Sequence, residues 1–287
     1  MKLQTPVADS PCRTGISYKD RIMMLGSCFA DNVGRQLQDY GFSVCVNPFG
    51  TLYNPVSVMN SVERLVSGRP FTDDECVMMG SGSDRICSFS HHTSFSALSS
   101  EDFLTKVNSA LVEAAEFFHT CSKVVITLGT AWCFRHIRKD VIVSNCLKRD
   151  ASEFVRQRLS VEEVTSALKN IMDLCPEKEF IFTVSPIRHF KDGAHGNQIS
   201  KSALLLGIDG LLAGDYGQRA DYFPAYEIVM DELRDYRFYA EDMCHPTSQT
   251  VDYIRERFLS WALPESEKKR LEDSIKLFRK SRHIERP

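Results

Sequence analysis

Four times along this sequence a short apolar run stops at a small residue and is followed by a helical pattern, a rhythm that few folds accommodate. Ile22, Met23, Met24 and Leu25 run into Gly26-Ser27, with helical spacing over 31–39. Residues 42–46 form the second run, which leads through Asn47-Pro48-Phe49-Gly50-Thr51 to a helix opening near Pro55, where proline suits a first helical position. Val124-Val125-Ile126-Thr127-Leu128 is the third and ends at Gly129-Thr130; residues 180–184 are the fourth and end at Ser185-Pro186. Apolar runs without alternation read as strands covered on both faces, and their succession with helices predicts an α/β class fold with a doubly wound sheet and helices on both faces. In such sheets ligands bind beyond the carboxyl ends of the strands, which directs attention to Ser27, Gly50, Gly129 with Thr130, and residues 185–189.

The remaining pattern completes one domain. Residues 69–99 break the alternation: Val77-Met78-Met79 and Ile86-Cys87 lie among Gly80-Ser81-Gly82-Ser83, which predicts an inserted hairpin or lid bordering the cleft. Helical patterns cover 101–120, 161–173, 200–213, 225–232 and 246–261, residues 135–143 read as a local hairpin, and Asp221-Tyr222-Phe223 as a last edge strand. The organisation expected is a single domain over 1–262 with the insertion at about 69–99, then a charged helical tail over 263–287.

A chain of 287 residues with 43% hydrophobic residues can bury a core of that size. Its 35 basic and 38 acidic side chains give a formal charge of -3, which supplies no general attraction to nucleic acid or anionic lipid. The ten cysteines are scattered with no C-x-x-C pair, so reduced thiols are expected rather than a disulfide framework. Pro6 and Asp9 interrupt any apolar leader and no stretch reaches membrane-spanning length, so a cytoplasmic location is expected with Met1 as the start. His91, His92 and His119 have no third ligand at a metal-binding spacing, and residues 193–200 lack the glycine spacing of a dinucleotide site. Neither a metal nor a cofactor is expected.

Two elements carry chemistry. Ser27 follows an apolar strand, adjoins a glycine that permits a tight turn, and precedes a helix whose first amides favour developing negative charge. The G-x-S-x-G elbow of the α/β-hydrolases is absent. Cys28 is the alternative nucleophile, because a helix start lowers a thiol pKa. The second element is Asp242-Met243-Cys244-His245, with Pro246 read as the first helical position. An Asp within one turn of a His can fix its tautomer while the other ring nitrogen takes a serine proton; the plainer reading is a helix cap. Arg188 at a strand end can hold a carboxylate or phosphate by two parallel bonds, or fix the neighbouring loop.

Together, Gly26-Ser-Cys-Phe-Ala30 and Asp242-x-x-His245 make the chain resemble the GSCFA family, named for that pentapeptide and placed among the SGNH, or GDSL-like, hydrolases. The resemblance extends to residues 47–55, 127–132, 185–189 and 222–230, and so covers most of the chain. It implies a three-layer α/β/α sandwich with a mostly parallel five-stranded sheet, and a serine hydrolase whose nucleophile lies in the first strand-to-helix turn. By resemblance Ser27 matches the nucleophile, although the wider Gly-Asp-Ser order is here Gly-Ser-Cys; Gly50 matches an oxyanion glycine; Asp242 and His245 match the base pair. The family superclass has an Asn after the glycine at 129, where this chain has Thr130. The third oxyanion donor then falls to the Thr130 hydroxyl, a backbone amide, or Asn145, beside which Leu147 stands where a His would be expected. Arg188 and His189 join Asn145 as candidate substrate contacts. The expected activity is hydrolysis of a small acyl ester, on a carbohydrate or cell-envelope substrate, through an acyl-enzyme. An acyltransferase using the same intermediate and a binding scaffold that has lost catalysis are the alternatives.

Overall fold

A computed structural model describes residues 5–8 and 10–284; Asp9 and residues 1–4 of the amino-terminal stretch, and residues 285–287 of the tail, lie outside it. In chain order the elements are β1 (Arg21–Gly26), α1 (Cys28–Asp39), β2 (Ser43–Val46), α2 (Pro55–Ser67), β3 (Val77–Met78), β4 (Ile86–Cys87) and α3 (Ser100–Thr120). There follow β5 (Lys123–Leu128), β6 (Trp132–His136), β7 (Val141–Val143), β8 (Phe154–Arg158), α4 (Val161–Leu174), β9 (Glu179–Val184) and α5 (Gly193–Leu212). The chain ends through β10 (Ala220–Phe223), α6 (Ala225–Glu227), a π-helical turn (Ile228–Leu233), α7 (Ser248–Ala262) and α8 (Glu265–Ile284).

Five strands pair in the order β10-β9-β5-β1-β2, all parallel. Side chains alternate across a strand, so each apolar run supplies two layers at once. Met23 and Leu25 of β1, Val124 and Ile126 of β5, and Phe180 and Phe182 of β9 enter one core with residues of α2 to α5. Ile22, Met24, Val125 and Ile181 enter the other, packed by Phe29, Val33 and Leu37 of α1 and Val251, Ile254 and Phe258 of α7. The α/β sandwich with a parallel five-stranded sheet is therefore as expected.

The β3–β4 hairpin is a separate two-stranded antiparallel sheet, and β7-β6-β8 forms a second small sheet beyond the end of β5. The tail helix α8 does not stand off the body: Leu271, Ile275 and Phe278 pack against the second core. Among the described residues no helix is long and apolar enough to cross a membrane, and all ten cysteines are free.

Asp221 at the edge strand fastens the chain's beginning to the sheet. Its buried carboxylate accepts from the Arg13 and Thr14 amides, both at 2.7 Å, from the Thr14 hydroxyl at 2.9 Å and from Arg13 Nε at 3.2 Å. Burial pushes its pKa up, but the Thr14 and Arg13 bonds outweigh burial and hold it below the usual value. A depressed carboxylate contributes stability above its unfolded pKa that is lost as pH falls through the folded one. Asp221→Asn is therefore expected to cost about 1–3 kcal/mol at neutral pH. Denaturant melts from pH 7 downward should show the gap between wild type and variant closing in acid.

Candidate active site

The turn after β1 is fixed by backbone geometry. Gly26 has a φ of +130°, and a Cβ there would lie 2.0 Å from the Thr127 carbonyl oxygen of β5. Its N–H donates to Asn47 Oδ1 at 2.8 Å, and Asn47 Nδ2 donates to Asp31 of α1 at 2.6 Å, so one buried side chain links β1, β2 and α1. Ser27 is the N-cap of α1, yet its hydroxyl makes no capping bond. Its N–H donates to Thr127 O at 3.1 Å. Ser27 is only 1% exposed and its Oγ has no hydrogen-bond partner.

The residues 242–245 fold into a tight loop. Asp242 Oδ1 accepts from the Cys244 and His245 amides, both at 2.9 Å, and Oδ2 accepts from His245 Nδ1 at 2.6 Å. The His245 and Cys244 amides, then the imidazole, hold the Asp242 carboxyl down to about 2. With Nδ1 committed as a donor, Nε2 is the acceptor of a neutral ring. The expectation that Pro246 opens the last helix is corrected: α7 begins at Ser248, because Thr247 caps it by accepting from the Thr250 amide at 3.2 Å. Pro246 instead bridges to Tyr239 as extended chain, which holds His245 ahead of the helix.

A cleft of about 790 Å³ joins the loop to the strand ends. Asp242, His245, Thr130, Asn145, Arg188 and His189 line it, and Cys28 does so from the first position of α1. Ser27 and Gly50 are not among its lining residues. Gly50 adopts a φ of +91°, and its N–H donates to Asn47 O at 2.8 Å. The Gly129 and Thr130 amides both donate to Tyr53 O at 2.9 Å, and the Thr130 hydroxyl pairs with Ser200 at 2.9 Å. Asn145 Oδ1 accepts from the Leu147 amide at 2.8 Å, which leaves its Nδ2 as the donor in the cleft. Arg188 serves the loop: its amide donates to Cys244 O at 3.0 Å, its Nη1 to Met243 O at 3.1 Å, and its guanidinium lies over the Phe190 ring at 4.2 Å. His189 is held neutral, because burial, then Lys201 and His245, push its pKa down to about 4. A second cavity of about 770 Å³, between α2 and the 139–144 hairpin, contains none of these residues. Among the described residues no group of three or more His, Cys, Asp or Glu could hold a metal ion.

Lys201 was not singled out by the sequence, where it reads as one more polar residue on α5. It is 1% exposed, and its ammonium donates to Gly129 O at 2.6 Å and Ser185 O at 2.7 Å, tying the carboxyl ends of β5 and β9 behind the cleft. Burial lowers its pKa to about 7 from the ordinary 10.5. The folded protein thus binds fewer protons than the unfolded chain between those values, and stability rises with pH across that window. Lys201→Met should abolish that rise and leave two buried carbonyls without their donor, at a cost of about 1–3 kcal/mol each. Denaturation midpoints at pH 6, 8 and 10 check both effects.

Residues 21–258 match the profile of the GSCFA family. No curated protein matches the chain. Among solved structures, the crystal structure of a carbohydrate esterase family 2 enzyme with a carbohydrate-binding domain, from Corynascus thermopiles (Myceliophthora fergusii), is similar at 14% identity and a TM-score of 0.36, covering 90% of this chain and 68% of that one. The match over 21–258, which contains the 26–30 turn and the 242–245 loop, places this chain in the GSCFA family.

Proposed function

We propose that the protein is an ester hydrolase of the SGNH type that works through an acyl-enzyme. In this reading His245 is the general base, Asp242 orients it, and the 26–28 turn supplies the nucleophile, for which Ser27 and Cys28 are the two candidates. The observation that carries the reading is the 2.6 Å Asp242–His245 pair in a cleft shared with the start of α1. An imidazole so held accepts a proton at Nε2 and gains stabilisation from the carboxylate as it becomes charged. The first amides of α1 and Asn145 Nδ2 are the donors for the oxyanion, a role in which each is worth on the order of 3 kcal/mol. Tyr53, Trp132, Phe134 and Phe154 give the cleft an aromatic wall that suits the ring of a sugar whose hydroxyl carries a small acyl group.

Transfer of the acyl group to an alcohol uses the same intermediate and differs only in what completes the reaction. A binding scaffold is the competing reading, favoured by the engagement of the Gly50, Gly129 and Thr130 amides within the protein. Purified protein assayed on short-chain p-nitrophenyl esters, with an acceptor alcohol added in parallel, separates them. Hydrolysis predicts release of free acid, transfer predicts a new ester, and a scaffold shows neither.

A further inference from the structure

We propose that the Cys28 thiol, rather than the Ser27 hydroxyl, is the group acylated in this cleft. The inference rests on reading the cleft as an acyl-transfer site and names its nucleophile. Ser27 is enclosed: it is 1% exposed, its Oγ has no partner, and it does not line the cleft. One residue further the chain has turned by about 100° around the new helix, which carries the next side chain to a different face. Cys28 lines the cleft together with Asp242 and His245, and with Tyr53, Thr130 and His189. Cys133, Cys146 and Cys244 also line it, but Cys28 alone among them begins a helix, where unsatisfied amides favour an anion.

The surroundings of the sulfur fit general-base activation. Burial raises the Cys28 pKa and Asp31 adds to that, whereas the Cys28 and Phe29 amides and the Lys201 ammonium act in the opposite direction. The net direction is upward, so the resting group is a neutral thiol that needs a base, unlike the preformed thiolate expected from the helix start alone. His245 Nε2 takes the thiol proton as sulfur attacks the acyl carbon. The C–S bond forms and the carbonyl π electrons move to oxygen. Collapse of that oxyanion breaks the C–O bond, and the departing alcohol receives the proton from His245. Water, or an acceptor alcohol, then gives a proton to His245 and attacks the thioester. The C–S bond breaks, and the thiolate recovers its proton from the imidazolium.

The test is to react the full chain with p-nitrophenyl acetate, quench in acid, and map the acetyl group by peptide mass spectrometry. Wild type should carry one acetyl on Cys28 that neutral hydroxylamine removes, as it does a thioester. Cys28→Ala should carry none on the peptide containing 26–28. Cys28→Ser keeps the volume and the fold, and should form an oxygen ester that resists neutral hydroxylamine, at a rate lower by about 10²-fold or more. An acetyl on Ser27 that persists in Cys28→Ala and disappears in His245→Ala would overturn the inference and leave the acyl-enzyme reading intact. No acetyl on this peptide in wild type, or equal acetylation in His245→Ala, would overturn both.

Discussion

Replacing His245 with alanine is expected to lower kcat/KM on a short-chain ester by about 10³-fold or more, with the melting curve unchanged. The side chain is half exposed on a loop, and its one side-chain hydrogen bond goes to Asp242, so little of the fold depends on it. Asp242→Asn should cost about 10² to 10⁴ in kcat, because an amide in place of Oδ2 no longer fixes Nδ1–H and stabilises no imidazolium. Asp242 also accepts two backbone amides, so part of any loss reflects a loosened loop. The two effects separate in the double variant: residues acting as one unit lose no more together than the worse single change. Since the Asp242 carboxyl is held down to about 2, it stays ionised between pH 7 and 4, and activity lost in that interval is expected to arise from another group.

The largest effect on the fold itself is expected at Gly26. Gly26→Ala places a methyl group 2.0 Å from Thr127 O at the pairing of β1 with the central strand β5, and requires φ +130° of a residue with a side chain. The clash is with backbone that is itself paired, so neither strand can yield without breaking the sheet. A loss of more than about 4 kcal/mol is expected, seen as little or no soluble folded protein. Gly41→Ala is the control, because its φ of +85° is also positive but no atom lies within 4 Å of the added carbon. That change should cost only about 1–2 kcal/mol of backbone strain. Parallel denaturant titrations distinguish a steric wall at Gly26 from a general intolerance of substitution at positive φ.

What the sequence shows of this fold follows from burial on two faces. The runs at β1, β5 and β9 are apolar without interruption because helices cover both sides, and that signal needs no partner to interpret. The strand β8 carries no periodic signal, because Arg156 and Gln157 are only partly covered and Val155 and Arg158 are exposed. The helical pattern of α5 starts at residue 200 in the sequence, whereas the helix begins at Gly193: Gly193 and Gly196 look like loop, yet the Gly196 carbonyl accepts from Trp132 Nε1 at 3.3 Å. The pairing of Asp242 with His245 was legible because a loop of four residues brings them together locally. Which of Ser27 and Cys28 faces the cleft was not, because it depends on the rotation at a helix start that one residue of shift reverses. The roles of Lys201 and Asn47 are illegible for a related reason. A buried lysine and a buried asparagine are defined by the carbonyls and amides that meet them, and those come from strand ends distant in sequence.

The Asp242–His245 pair is expected to activate a nucleophile in the 26–28 turn and so to form an acyl-enzyme. Rapid-mixing kinetics with p-nitrophenyl acetate at enzyme concentrations high enough to count sites test it most directly. The expected result is a burst of about one p-nitrophenol per chain ahead of slower turnover in wild type, with no burst in His245→Ala. A burst of equal size and rate in His245→Ala, or hydrolysis of the ester with no dependence on that residue, would contradict the account.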